Sequence, residues 1–296
     1  MKFVTYSTGQ ETDVPRLGLA DPAEGLVRDL GDLAPGGLPE LIARWPQLGP
    51  ALREDPFGSG PLHALESLTL HAPIPRPVRN IFCVGKNYRE HAAEFGRSGY
   101  DTPSRSEAVP DRPILFSKAT TAVTGPYDPI DAHSALTSEV DYEGELGVVI
   151  GRGGRGITRE SAYDHVWGYV VVNDVTARDL QRDHKQWLLG KSLDTHCPMG
   201  PYAVTSDEIA DVTALEIETR VNGELRQHAR VADLIFDIPE LIATLSAGIT
   251  LLPGDIIATG TPVGVGIGFD PPRFLRPGDV VEVSITGLGA QRNVVR

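Results

Sequence analysis

Between Val140 and Ile150 the residues alternate with a period of two, and inside that run two glutamates, Glu143 and Glu145, stand one residue apart. Alternate residues of a strand point to the same side, so a strand here puts both carboxylates on one face. Val166–Val172 is apolar enough for a buried strand, and it stops abruptly at Asn173-Asp174 before Thr176-Ala177-Arg178-Asp179. Laid side by side, the two strands bring Asp174 to the glutamates. Three converging carboxylates repel one another and lose hydration on burial, so they call for a positive charge in their midst. Oxygen ligands without cysteine or clustered histidine suit a hard cation, Mg²⁺ or Mn²⁺, with positions left open for water and substrate. The same spacing also suits glutamates on the solvated face of an edge strand with Asp174 capping a turn. Spacing alone leaves both readings standing.

What surrounds the acids narrows the class. A chain of 296 residues can bury a substantial core. Its formal net charge of −13 argues against a nucleic-acid partner, which wants a basic stripe. A small anionic substrate remains compatible, because a metal or nearby lysines reverse the field inside a cleft. The two cysteines, Cys83 and Cys197, lie far apart and suggest neither a disulfide framework nor a zinc site. The first residues lack a signal peptide and no apolar run reaches membrane-spanning length, so a cytoplasmic protein without membrane contact is expected.

In chain order, Lys2–Ser7, Arg16–Ala20 and Gly25–Asp29 read as short strands. Leu38–Arg53 carries helical spacing that Pro46 and Pro50 should break. The cluster Pro73-Ile74-Pro75-Arg76-Pro77 is the best boundary. It separates a small N-terminal α+β domain, 1–72, from a catalytic domain, 80–296, with 73–79 as a proline-rich linker. After the strand Asn80–Gly85, His91 and Glu94 stand three apart, on one face of a helix. A carboxylate beside an imidazole fixes its tautomer and raises its basicity, as a general base acting on water requires; a surface pair has the same spacing. The polar segment Gly96–Pro113 has the character of a mobile lid.

Ile114–Lys118 is a further strand with Lys118 at its end. Gly151-Arg152-Gly153-Gly154-Arg155-Gly156 matches a dinucleotide-binding fingerprint, which makes a nicotinamide enzyme one competing class. Thr158–His165 is too short for the crossover helix that fold needs, so these glycines read as a turn. Downstream, Gln181 and Lys191 are donors suited to a bound anion or developing oxyanion. Asn222-Gly223 joins Ile217–Val221 to Glu224–His228 as a hairpin, and Pro239–Ala247 is a helix stopped by Gly248. Thr259–Gly266 is a glycine-rich loop able to approach a ligand closely. Strands dominate, so the fold class is a β-rich α+β protein.

Together these pieces resemble the fumarylacetoacetate hydrolase family from about Pro77 onward. The resemblance rests on Val84-Gly85-Lys86-Asn87-Tyr88 with His91 and Glu94, on Asp141-Tyr142-Glu143-Gly144-Glu145-Leu146, and on Asn173-Asp174-Val175-Thr176-Ala177-Arg178-Asp179. Gly190-Lys191-Ser192 and Thr259-Gly260-Thr261-Pro262 complete it. It implies a layered mixed-sheet catalytic domain, a homodimer, and Mg²⁺ or Mn²⁺ on Glu143, Glu145 and Asp174. It further implies a catalytic set of His91, Glu94 and Lys191, and substrate contacts from Lys86, Tyr88, Lys118, Arg178, Gln181 and Thr261. The expected reaction is hydrolysis of a C–C bond in a β-diketo acid of the acylpyruvate or fumarylpyruvate type, through an enolate held by the metal, with His91 and Glu94 activating water. Decarboxylation or isomerisation of 2-oxo acids, of the oxaloacetate or hydroxymuconate kind, uses the same metal site. A binding protein that keeps the fold without turnover is the remaining class, and retention of all three acids and the dyad speaks against it.

Overall fold

Where the strands pair decides which side chains meet. The structure, a computed structural model, describes residues 1–9, 14–97 and 109–296. The expected lid, Gly96–Pro113, falls largely outside the described residues. Gly144–Ile150 and Val166–Asn173 are adjacent antiparallel strands, with Gly144 opposite Asn173 and Glu145 opposite Val172. They sit at the centre of a large twisted sheet that runs from Leu62–Ala64 at one edge to Ile114–Lys118 at the other. Antiparallel pairing, with a short 3₁₀ turn at Ala162–His165 in the connection, rules out the βαβ unit that the glycines 151–156 mimic.

Both faces of this sheet are covered, which is why its central strands read as nearly continuous apolar runs. Leu146, Val148 and Ile150 point to a layer made by a four-stranded sheet, 216–221, 224–230, 280–285 and 289–294, and the helix Ile238–Ser246. Val149 points the other way, into a cluster with Phe3, Leu38, Leu41 and Ile42. At about 1.5–3 kcal/mol for each large apolar side chain removed from water, these two cores hold the central strands rigid.

Several expectations are met element by element. Asn222 and Gly223 both take positive φ, 52° and 81°, as a type I′ hairpin requires. The helix Ile238–Ser246 has Asp237 as its N-cap, accepting from Glu240 N, with a proline in its first turn. The break in Leu38–Arg53 differs from expectation. It falls at Arg44, between the helices Leu38–Ala43 and Trp45–Glu54; Pro46 opens the second helix, where its missing N–H costs nothing, and Pro50 rides inside it. The N-terminal strands also do more than build a separate unit. Lys2–Ser7 pairs with Cys197–Thr205, Lys2 opposite Val204, so the chain before the prolines extends the same sheet that carries the acids. Among the described residues no helix is long and apolar enough to cross a membrane.

Candidate active site

Glu143 lies in the two-residue break between the short strand Val140–Asp141 and Gly144–Ile150, and Asp174 lies one residue past the end of Val166–Asn173. The two segments lock each other. Asp174 N donates to Glu143 O at 2.8 Å, and Glu143 N donates to Asn173 Oδ1 at 3.0 Å. Glu145 is held from a third side by Gly260 N, which donates to its Oε2 at 2.9 Å. Gly260 has φ +102°, and a Cβ there would sit 2.8 Å from Asn87 Cβ and 2.9 Å from Val84 O, so glycine alone allows this approach. One carboxylate oxygen from each of Glu143, Glu145 and Asp174 falls within 4.8 Å of the others, and all three residues are buried. The solvated-face reading of the two glutamates is thereby overturned: the strand that Glu143 precedes and Glu145 belongs to is central, not an edge.

Three buried cations surround the acids. Lys191 Nζ donates to Glu143 Oε2 and Asp174 Oδ2, each at 2.8 Å. Lys118 Nζ donates to Asp174 Oδ1 at 2.7 Å and to Val175 O at 3.0 Å. Arg178 pairs through Nη1 with Glu143 Oε1 at 2.7 Å and through Nε with Asp141 Oδ2 at 2.9 Å. Burial opposes ionisation of Glu143, but Lys191 and Arg178 outweigh it and pull its carboxyl down to about 2. Lys191 is likewise desolvated, yet Asp174 and Glu143 hold it charged. Glu145 goes the opposite way: burial, then repulsion from Asp174 and Glu143, raises it well above the ordinary carboxylate range.

This asymmetry tests whether the residues suit a divalent cation. Four acids, Asp141, Glu143, Glu145 and Asp174, face three cations, and the excess negative charge falls on Glu145. A dication would take up that excess and leave the cluster one positive charge over, which suits an anionic substrate. The donor set, oxygen only with no thiolate or imidazole, fits Mg²⁺ or Mn²⁺.

His91 and Glu94 lie on the helix Arg89–Arg97, both buried, with His91 Nδ1 at 3.1 Å from Glu94 Oε2. Glu94 in turn accepts from Gly264 N at 3.1 Å. Since Nδ1 is taken by the carboxylate, Nε2 is the nitrogen left for chemistry. His91 and Glu143 line one narrow pocket together with Lys86, Arg178, Gln181, Lys191 and Thr261. The aromatic rings of Phe95, Phe116 and Trp187 wall it to about 10 Å³, the room of roughly one water. Larger cavities lie elsewhere and away from the acids, beside Arg16 and Arg76 and beside Arg89 and His228.

Two of the expected substrate residues are placed differently. Lys118 is fully buried and spends its ammonium on Asp174 and Val175 O; like Asp174 itself, it is not in the pocket wall. Tyr88 packs into the core beneath the smaller sheet and borders the neighbouring cavity instead. A shared motif carries a residue's place in the chain, but the direction of each side chain is set by packing. Sequence reading also gave Asp141 no role, although its carboxylate holds Arg178 and accepts from Gly266 N and Ile267 N at 2.6 and 3.1 Å. Its place two residues before Glu143, continuing the alternation, is the signal that marks it.

A sheet-layered fold with acids gathered at the ends of two central strands defines the class, and its sequence profile agrees. The profile described as fumarylacetoacetate (FAA) hydrolase C-terminal matches residues 80–296, and the chain belongs to that family of enzymes. Oxaloacetate tautomerase YisK of Bacillus subtilis (strain 168) is 51% identical over 271 residues, 88% of this chain and 87% of that protein. Among solved structures, fumarylacetoacetate hydrolase from Exiguobacterium antarcticum is 40% identical with a TM-score of 0.83, covering 100% of this chain and 99% of its own. Maleylpyruvate hydrolase from Sphingobium sp. SYK-6, in complex with manganese(II) and pyruvate, is 30% identical with a TM-score of 0.78, covering 100% and 98%.

Proposed function

We propose that this enzyme interconverts the keto and enol forms of an oxaloacetate-type 2-oxo dicarboxylic acid, with Mg²⁺ or Mn²⁺ on Glu143, Glu145 and Asp174. The observation that carries the reading is the opening of a buried His91–Glu94 pair onto the same small pocket as Glu143, Arg178, Gln181 and Lys191. Similarity to a protein named oxaloacetate tautomerase over most of both chains supports the choice of substrate. A cation at the three acids supplies Lewis-acid polarisation of a 2-oxo group and stabilises charge that develops beside it. His91, its Nδ1–H directed to Glu94, removes a proton from the carbon next to the carbonyl while the carbonyl oxygen takes one up from water; in the reverse direction the imidazolium returns its proton to carbon as the oxygen gives its own back to water. Arg178, Gln181 and Lys191 hold the anionic ends of the substrate; Lys191 stays protonated for this task because Asp174 and Glu143 keep it so. Phe95, Phe116 and Trp187 keep bulk water out, and short acids require the least opening of the pocket.

Hydrolysis of acylpyruvates is the second reading. The oriented imidazole is also what water activation needs, and the maleylpyruvate hydrolase neighbour carries manganese with pyruvate. The two readings separate in one assay, in which enol oxaloacetate and an acylpyruvate are supplied with Mn²⁺ and product is followed by NMR. Faster ketonisation of oxaloacetate with no acylpyruvate cleavage supports the first; cleavage of the acylpyruvate with ketonisation at the solution rate replaces it with the second. His91→Ala should lower turnover of the true substrate by about 10²–10⁴-fold while Mn²⁺ binding persists, and unchanged turnover would refute the role given to His91. A cytoplasmic homodimer completes the proposal. Two reduced, buried cysteines, Cys83 and Cys197, are in keeping with a reducing compartment.

A further inference from the structure

Gln227 belongs to the smaller sheet, on the strand Glu224–Arg230, and is 1% exposed. Its side chain crosses to the large sheet and makes three hydrogen bonds. Oε1 accepts from Gly144 N at 3.0 Å, while Nε2 donates to Thr261 Oγ1 at 2.8 Å and to Pro262 O at 2.7 Å. Only one orientation of the amide satisfies all three, because a peptide N–H donates and a prolyl carbonyl accepts. That orientation settles the Thr261 hydroxyl as well. Oγ1 accepts a hydrogen bond from Gln227 Nε2 and donates one to Gly144 O, 3.1 Å away. Gly144 is the residue between the two glutamates, and Thr261 follows Gly260, whose N–H holds Glu145. The close approach depends on glycine at 144: a Cβ there would lie 2.3 Å from Thr219 Oγ1 and 3.5 Å from Gln227 Oε1.

We propose that Gln227 is a positioning residue of this site. It clamps the peptide between Glu143 and Glu145 to the loop Thr261–Pro262, so that both glutamates face one cation and Thr261 faces the pocket. Gln227 itself is not in the pocket wall, so it acts through the backbone it holds. The proposal rests on the reading of the three acids as a cation site, and not on which 2-oxo acid is turned over.

The test is Mn²⁺ affinity, read from the electron paramagnetic resonance signal of free Mn²⁺, for wild type, Gln227→Met and Gln227→Asn. Methionine keeps the volume and removes the hydrogen bonds. Asparagine keeps the amide but is one carbon too short to reach both Gly144 and the loop Thr261–Pro262, and it serves where the methionine variant does not fold. Residues that orient metal ligands typically contribute about 10–100-fold in affinity, so a loss of about tenfold is expected in either variant. Its cooperative melting in EDTA should persist, which separates a misplaced ligand from an unfolded chain. Affinity within threefold of wild type in a folded variant overturns the role of Gln227, and wild type that does not bind Mn²⁺ overturns the role together with the cation site. Wild type that binds Mn²⁺ yet leaves oxaloacetate at its solution rate refutes the proposed substrate alone.

Discussion

Replacing Glu145 by glutamine should change stability and cation affinity in opposite directions, and the reason is electrostatic crowding. The reactive oxygens of Glu143, Glu145 and Asp174 lie within 4.8 Å of one another. At an effective dielectric of about 20 and this separation, two like unit charges repel by roughly 3 kcal/mol. Glu145 faces two such neighbours, which is why burial and both carboxylates raise it. Without a cation this repulsion, added to burial, disfavours the charged form of Glu145. Glu145→Gln removes the repulsion, keeps the shape, and still accepts from Gly260 N through its amide oxygen. In EDTA the variant should therefore be more stable by about 1–3 kcal/mol, a rise in melting temperature of roughly 2 °C per kcal/mol for a chain of this size. With Mn²⁺ the order reverses. A wild type at a thousandfold excess over its dissociation constant gains about 4 kcal/mol by mass action, and the variant, having lost an anionic ligand, gains much less. Differential scanning calorimetry in EDTA and across a Mn²⁺ titration reads both effects. A variant that melts below wild type in EDTA, or that is stabilised by Mn²⁺ as strongly as wild type, would refute the crowding argument.

Two further predictions concern parts of the fold around the site. His196 is buried with Nε2 bonded to Asp131 O, and burial followed by the nearby charge of Lys118 lowers it from 6.5 to about 3. Above pH 6.5 the ring is neutral in both states; as the pH falls the unfolded chain takes up a proton that the folded chain refuses, so stability drops by up to about 1.4 kcal/mol per pH unit. His196→Gln should flatten urea-unfolding stability between pH 6.5 and 4 relative to wild type, and parallel slopes would count against the assignment. Gly264 has φ +104°, and a Cβ there would lie 1.9 Å from Arg226 O. Gly264→Ala should therefore destabilise the fold by about 2 kcal/mol or more and, by moving the N–H that holds Glu94, reduce turnover. Wild-type stability in urea would show that the loop yields more easily than its geometry allows.

How much of this was legible beforehand differs from residue to residue. The alternation around Glu143 and Glu145 and the abrupt end of an apolar run at Asn173-Asp174 marked the three acids, although the structure interrupts the strand at Tyr142-Glu143, so the strand period sets the direction of Glu145 and not of Glu143. His91 and Glu94 met through helix spacing. The solvated-face alternative survived any reading of spacing, since nothing local says whether a strand is central or at an edge. The family resemblance implied substrate contacts for Lys118 and Tyr88, yet one spends its ammonium on Asp174 and the other packs into the core. Gln227 carried no signal at all, being one glutamine on the far strand of a hairpin.

The chain by itself therefore determined its elements, its hairpin turn and the identity of the acid cluster, all of which follow from periodicity over a few residues. Tertiary structure decided the rest: that the smaller sheet presses Gln227 against Gly144, that the chain before the prolines joins the same sheet as the acids, and that three cations are buried among four carboxylates. Those facts depend on which distant segments come into contact and how much water they exclude. Contact between segments distant along the chain fixes charge balance and side-chain direction, and no local pattern encodes it.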